Sequence, residues 1–89
     1  MRDAFQSANT AFKAGRYVEA LSGYERAQEL DPTESAAYYN AARCYLELGN
    51  STKAARMYYI YVLLANDNDP DRKNVIQWLS DRKFPIPQK

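Results

Sequence analysis

Residues 8–32, ANTAFKAGRYVEALSGYERAQELDP, decide the fold. Apolar positions recur at three- and four-residue steps on either side of Gly15, the signature of two amphipathic helices with a break between them. Gly15 stands just past the first helix, where a left-handed backbone closes a helix at least steric cost. The stretch therefore reads as a helical hairpin.

The hairpin repeats. An offset of about 34 residues, a spacing long enough for one helix-turn-helix unit, lays Ala8 over Ala42, Phe12 over Leu46, Gly15 over Gly49, Ala20 over Ala54, Tyr24 over Tyr58 and Leu30 over Leu64. Small residues fall on small ones and large on large. Helices are expected over Arg2 to Ala14, Tyr17 to Leu30, Thr33 to Leu48, Ser51 to Asn66 and Pro70 to Arg82. Asp31 with Pro32 and Glu34, and Asp69 with Pro70, read as N-capping acceptors set before a first-turn proline. Asn50 before Ser51 reads as a third cap. It also opens the tripeptide Asn50-Ser51-Thr52, a glycosylation pattern better explained by a turn and helix start.

In the first unit Ala8, Gly15, Tyr17, Ala20, Tyr24, Ala27 and Pro32 stand at the spacing of a known signature. In the second, Tyr38, Ala42, Tyr45, Gly49, Ala54 and Tyr58 keep it, with Ser51, Tyr61 and Asn66 as departures. The chain thus resembles the tetratricopeptide repeat family over Arg2 to about Asn68. The resemblance implies an all-α solenoid of two helix-turn-helix repeats and a closing helix. Its domain spans residues 1–82, with repeat 1 near 1–34, repeat 2 near 35–68 and a capping helix near 70–82; residues 83–89 form a Pro-containing tail.

Two helices approach closely only where one side is small, so Ala8 should face Ala20, and Ala42 face Ala54. Tyr24, Leu30, Tyr45, Tyr58 and Leu64 are then expected to fill the space between, with five of the eight tyrosines in or beside the core.

The bulk properties narrow the function. With 89 residues, 46% hydrophobic and 26% charged, the chain has room for one domain and should fold. A net charge of +1 gives no clustered basic surface for nucleic acid. No apolar run is long enough for a membrane span, and a complete chain of this kind would be cytoplasmic. The single Cys44 reads as buried filler. There is no histidine, no glycine-rich phosphate loop and no metal-ligand spacing, so neither catalysis nor a cofactor is expected. The acidic run from Asp67 to Asp71 fails as a calcium loop: Arg72 holds the glycine position and Trp78 the glutamate position.

The resemblance implies a protein or peptide partner held in a groove lined by the first helices of each hairpin. Carried over position by position, the groove comprises Phe5, Gln6, Asn9 and Lys13, then Tyr39, Asn40, Arg43 and Glu47, and finally Lys73, Asn74 and Gln77. Phe5 and Tyr39, one repeat apart, are the expected apolar anchors. One subfamily grips chaperone-tail carboxylates with two asparagines and three basic residues. Asn9 and Asn40 match, but Phe5, Pro70 and Asn74 replace the cations, so that ligand is not expected.

A second reading comes from the fourth helix. Its outward positions Arg56, Met57, Tyr59, Ile60 and Leu63 replace Ser22, Gly23, Glu25, Arg26 and Glu29 of the first unit. Such a face requires a cover. The preferred cover is the tail, through Phe84 and Ile86, which leaves a monomer. The alternative is an oligomerisation module that self-associates through Met57, Tyr59, Ile60 and Leu63 as a homodimer.

Overall fold

A computed structural model describes residues 2–87, the Arg2 side chain apart. Met1, Gln88 and Lys89, the ends of the expected domain and tail, lie outside the described residues. Five helices follow in order: α1 (Arg2–Lys13), α2 (Tyr17–Leu30), α3 (Ser35–Glu47), α4 (Ser51–Leu64) and α5 (Pro70–Asp81). Each packs on its neighbour in the chain. Ala8 and Ala11 share a core cluster with Ala41 and Cys44, and Tyr38 and Ala42 share another with Val75 and Leu79. Hence α1, α3 and α5 form one layer, and α2 and α4 the other.

Small residues set the crossings. Ala20, Ala27, Ala37, Ala41, Ala42 and Ala54 are wholly buried. Gly23, read from sequence as an outward position, belongs with them: a Cβ placed there would lie 2.7 Å from the Ala8 Cβ and 3.3 Å from the Ala4 carbonyl oxygen. Tyr24, Tyr38, Tyr58 and Tyr61 are buried, with Tyr39 and Tyr45 packed against the second cluster, one tyrosine more than expected. Leu30 departs from expectation. As the last residue of α2 it is 48% exposed, and Ala27, one turn earlier, carries the packing.

Two expected caps are present. The Asn50 side chain accepts from the Lys53 amide at 3.0 Å, and Asp69 accepts from Asp71 at 3.0 Å ahead of Pro70. The third is not. Asp31 ends α2, and its carboxylate accepts from the backbone and hydroxyl of Thr33, bonds that hold its pKa below the usual value. Glu34 caps α3 instead, accepting from the Ala36 amide at 3.3 Å, so that helix starts at Ser35. An Asp can bond its own backbone two residues on, and here that turn wins over the cap.

The turns repeat more faithfully than the sequence does. Gly15 and Gly49 have φ of 79° and 78°, and so does Lys83 at 60°. In each case the next residue's N–H reaches back into the preceding helix: Arg16 to the Ala11 carbonyl at 2.9 Å, Asn50 to Tyr45 at 2.8 Å, Phe84 to Leu79 at 3.0 Å. These are Schellman closures. Lys83 follows Gly49 at the same interval that separates Gly49 from Gly15, so α5 stands where the first helix of a third unit would. Phe84 to Pro87 are not helical, although Pro85 stands at the position where α2 and α4 begin in the first two units.

The chain after Lys83 folds back. The Phe84 ring stacks on Trp78 at 5.8 Å and 8°, with the Arg82 guanidinium 4.4 Å from the Trp78 centroid. Ile86 packs on the second cluster, and Pro87 is buried. Arg72 adds a tie between helices: its Nε donates to the Val62 carbonyl at 3.3 Å, and its guanidinium lies 3.8 Å from Asp67.

Candidate functional site

The layer of first helices presents a cleft of about 440 Å³ lined by Asn9, Phe12 and Lys13 of α1, Tyr17 and Tyr24 of α2, and Asn40 and Arg43 of α3. Asn9, Lys13, Asn40 and Arg43 were expected in a groove. Phe12, Tyr17 and Tyr24 were not, because their apolar spacing reads equally well as packing.

The cleft is built from the core outward. The buried Tyr24 hydroxyl donates to the Asn9 Oδ1. That bond fixes the amide and leaves its Nδ2 to donate elsewhere. Phe12 meets Tyr17 edge-to-face at 5.3 Å, and the Arg43 guanidinium lies 4.7 Å from the Phe12 centroid and 5.9 Å from that of Tyr39. Such a cation–π contact orients the guanidinium without neutralising it. Neither Arg43 nor Lys13 forms an ion pair among the described residues. Glu47 lies beside the cleft, where its charge raises the Tyr17 pKa. Burial pushes Tyr24 up to about 12 and the Cys44 thiol up to about 11, so both stay protonated at neutral pH.

The expected aromatic anchors serve the core. Phe5 meets Tyr24 edge-to-face at 5.6 Å, and Tyr39 lies 5.9 Å from Tyr58 and 5.2 Å from Tyr61. The two pairs, Phe5–Tyr24 and Tyr39–Tyr58, are the same contact one repeat apart. Gln6, Lys73, Asn74 and Gln77 are exposed, and none of them lines the cleft. Gln77 donates to Asp81 at 2.7 Å along α5.

A second groove, of about 330 Å³, runs along α4 between Thr52, Ala55, Arg56, Tyr59 and Ile60 on one side and Phe84 and Pro85 on the other. Of the four outer-face residues expected there, Tyr59 and Ile60 line it and Leu63 is 43% exposed. Met57 points inward. It packs against both core clusters, and Gln28 Nε2 approaches its sulfur at 3.7 Å. Its repeat partner is Gly23, which explains the misreading: both are crossing positions, one filled by a side chain and the other by close backbone approach.

Among the described residues, no group of His, Cys, Asp and Glu is placed to hold a metal ion, and no helix is long and apolar enough to cross a membrane.

The profile of the family described as Tetratricopeptide repeat matches residues 11–79. Over 49 residues, 55% of the chain, the sequence is 43% identical to the tetratricopeptide repeat and J domain-containing co-chaperone DNJ1 of Cryptococcus neoformans. The match spans 9% of that relative's length.

Proposed function

Because this chain belongs to the tetratricopeptide repeat family, whose repeats are protein–protein interaction modules, we propose that it holds an extended segment of another protein in the cleft between α1 and α3. One observation carries the reading: two asparagine amides and two cations without ion-pair partners face the same cleft. Asn9 and Asn40 suit the alternating donors and acceptors of an extended backbone. Lys13 and Arg43 suit an acidic side chain of that segment, since a charge-assisted bond in a recess is about twice as strong as a neutral one. The rings of Phe12 and Tyr17 supply apolar contact. Phe5 is committed to Tyr24 and brings no charge, in keeping with a ligand other than a chaperone-tail carboxylate.

The test is selection from a displayed library of random peptides, followed by titration of the winners by fluorescence anisotropy. Lys13→Glu with Arg43→Glu should weaken their binding at least tenfold, about 1.4 kcal/mol, with an unchanged melting curve. Winners that bind the double variant equally well would place the binding surface elsewhere.

A further inference from the structure

One amide of the cleft is oriented from the core. Tyr24 is buried in the cluster that it forms with Ala8, Ala11, Ala20, Ala41 and Cys44, and Phe5 meets its ring edge-to-face at 5.6 Å. Its hydroxyl therefore stands at a fixed point of the cleft wall, where it donates to Asn9 Oδ1. The reverse pairing, with Asn9 Nδ2 donating to the phenol oxygen, would leave the Tyr24 proton without an acceptor. Arg43, the cation whose charge acts on the phenol, and Lys13 in the same lining carry donors only. A buried donor left unmet costs more than a made bond gains, so the observed pairing is the one that persists. The second unit lacks it. Tyr58 stands one repeat after Tyr24, but Arg43 stands one repeat after Asn9, and a guanidinium accepts nothing.

We propose that Tyr24 is a positioning residue of the cleft: by engaging Asn9 Oδ1 it turns Asn9 Nδ2 to the ligand, so that this point of the wall reads an acceptor oxygen of the bound segment. This role rests on the reading of the cleft between α1 and α3 as the binding surface. With the amide held that way, Asn9, Lys13 and Arg43 all offer N–H groups to the same recess. The ligand they fit is a stretch of extended chain that sets a backbone carbonyl against Asn9 and an acidic side chain against the cations. A segment presenting an N–H at Asn9 would meet it donor to donor, and that mismatch discriminates among registers of the same peptide. Tyr24 does this without touching the ligand through its own proton, which is spent on Asn9.

Two measurements separate positioning from binding. In the ligand-free chain, nitrogen relaxation of the Asn9 side-chain amide should show a restrained group in the wild type and a freely turning one in Tyr24→Phe, the backbone spectrum being otherwise kept. For binding, the probe is a peptide selected from a displayed library against the wild-type chain and titrated by fluorescence anisotropy. Tyr24→Phe leaves Asn9 two orientations of similar population, which halves the competent fraction and should weaken capture about twofold. Asn9→Ala removes the donor and should weaken it about tenfold. Asn9→Asp keeps an acceptor for Tyr24 but turns an oxygen to the ligand, and should bind more weakly than Asn9→Ala. An Asn9→Asp variant that binds as well as the wild type would show that the amide reads a donor, and an Asn9 amide equally restrained in Tyr24→Phe would show that Tyr24 does not hold it; either result overturns the proposal. A peptide weakened by Lys13→Glu with Arg43→Glu but indifferent to both Asn9 variants overturns it while leaving the cleft as the binding surface. A peptide indifferent to all of these substitutions removes the cleft reading and this role with it.

Discussion

Gly23 of α2 lies against Ala8 of α1 with no room for a single added carbon, since a Cβ at Gly23 would stand 2.7 Å from the Ala8 Cβ. The neighbouring atoms are a methyl and backbone, so no flexible side chain is there to swing away. Gly23→Ala gains ~1 kcal/mol of helix propensity and incurs ~1–3 kcal/mol of overpacking. A net loss of stability in urea unfolding is the expected result. A more stable Gly23→Ala variant would show that α1 shifts freely on α2.

Lys83 adopts the backbone conformation that glycine supplies at Gly15 and Gly49. Replacing it with glycine should stabilise the chain by ~0.5–1 kcal/mol, because a left-handed φ costs a side chain more than the added unfolded-state freedom costs glycine. Gly15→Ala and Gly49→Ala should each destabilise by a similar ~1 kcal/mol. A Cβ at either site meets nothing within 4 Å, so the backbone alone is tested. Thermal melts of the three variants read the difference directly.

The helices were legible because alanines, glycines and aromatics carry their periodicity in the sequence; the expected ends fall within two residues of those observed. Gly23, Met57 and Lys83 were not. Each holds its place by a contact or a φ value that its residue type does not advertise. The cleft was half legible: amides and cations at surface steps of a helix read as ligand-facing, whereas Phe12 and Tyr24 serve core and cleft together and read only as core. Tyr39 shows the converse. Half-buried against Tyr58 and Tyr61, Tyr39→Ala should destabilise by ~2–3 kcal/mol, a loss visible in chemical denaturation without any ligand.

Alkaline pH should unfold the chain earlier than its composition suggests. Burial raises Cys44 from 9.0 to about 11, and Tyr24 and Tyr58 from 10.0 to about 12. The folded state therefore favours the protonated forms more than the unfolded state does. Their contribution to stability is complete below pH 9, declines as pH rises past the unfolded values, and is gone above pH 12. Melting temperature should hold steady to about pH 9 and then fall through this window. Tyr24→Phe should flatten part of the fall, at the expense of the bond to Asn9.

The segment after Lys83 offers the most direct test of what holds α5 in place. Phe84 stacks on Trp78, Ile86 packs beside it, and Pro87 is buried. Trp78 in turn meets Tyr58 edge-to-face at 5.2 Å, so the segment lies over the joint between α4 and α5. Fully buried side chains of this size contribute ~1.5–3 kcal/mol each. Because Phe84 and Ile86 are only half-buried, ending the chain after Lys83 should cost ~2–4 kcal/mol in all. The loss should fall on α5 first, since Arg72, Val75, Ile76, Trp78 and Leu79 are what hold that helix to the rest. Hydrogen exchange would then show α5 amides losing protection while those of α1 and α2 keep theirs, and Trp78 emission would shift to the red. An unchanged emission maximum with full α5 protection would show that the tail rests on a helix already held in place without it.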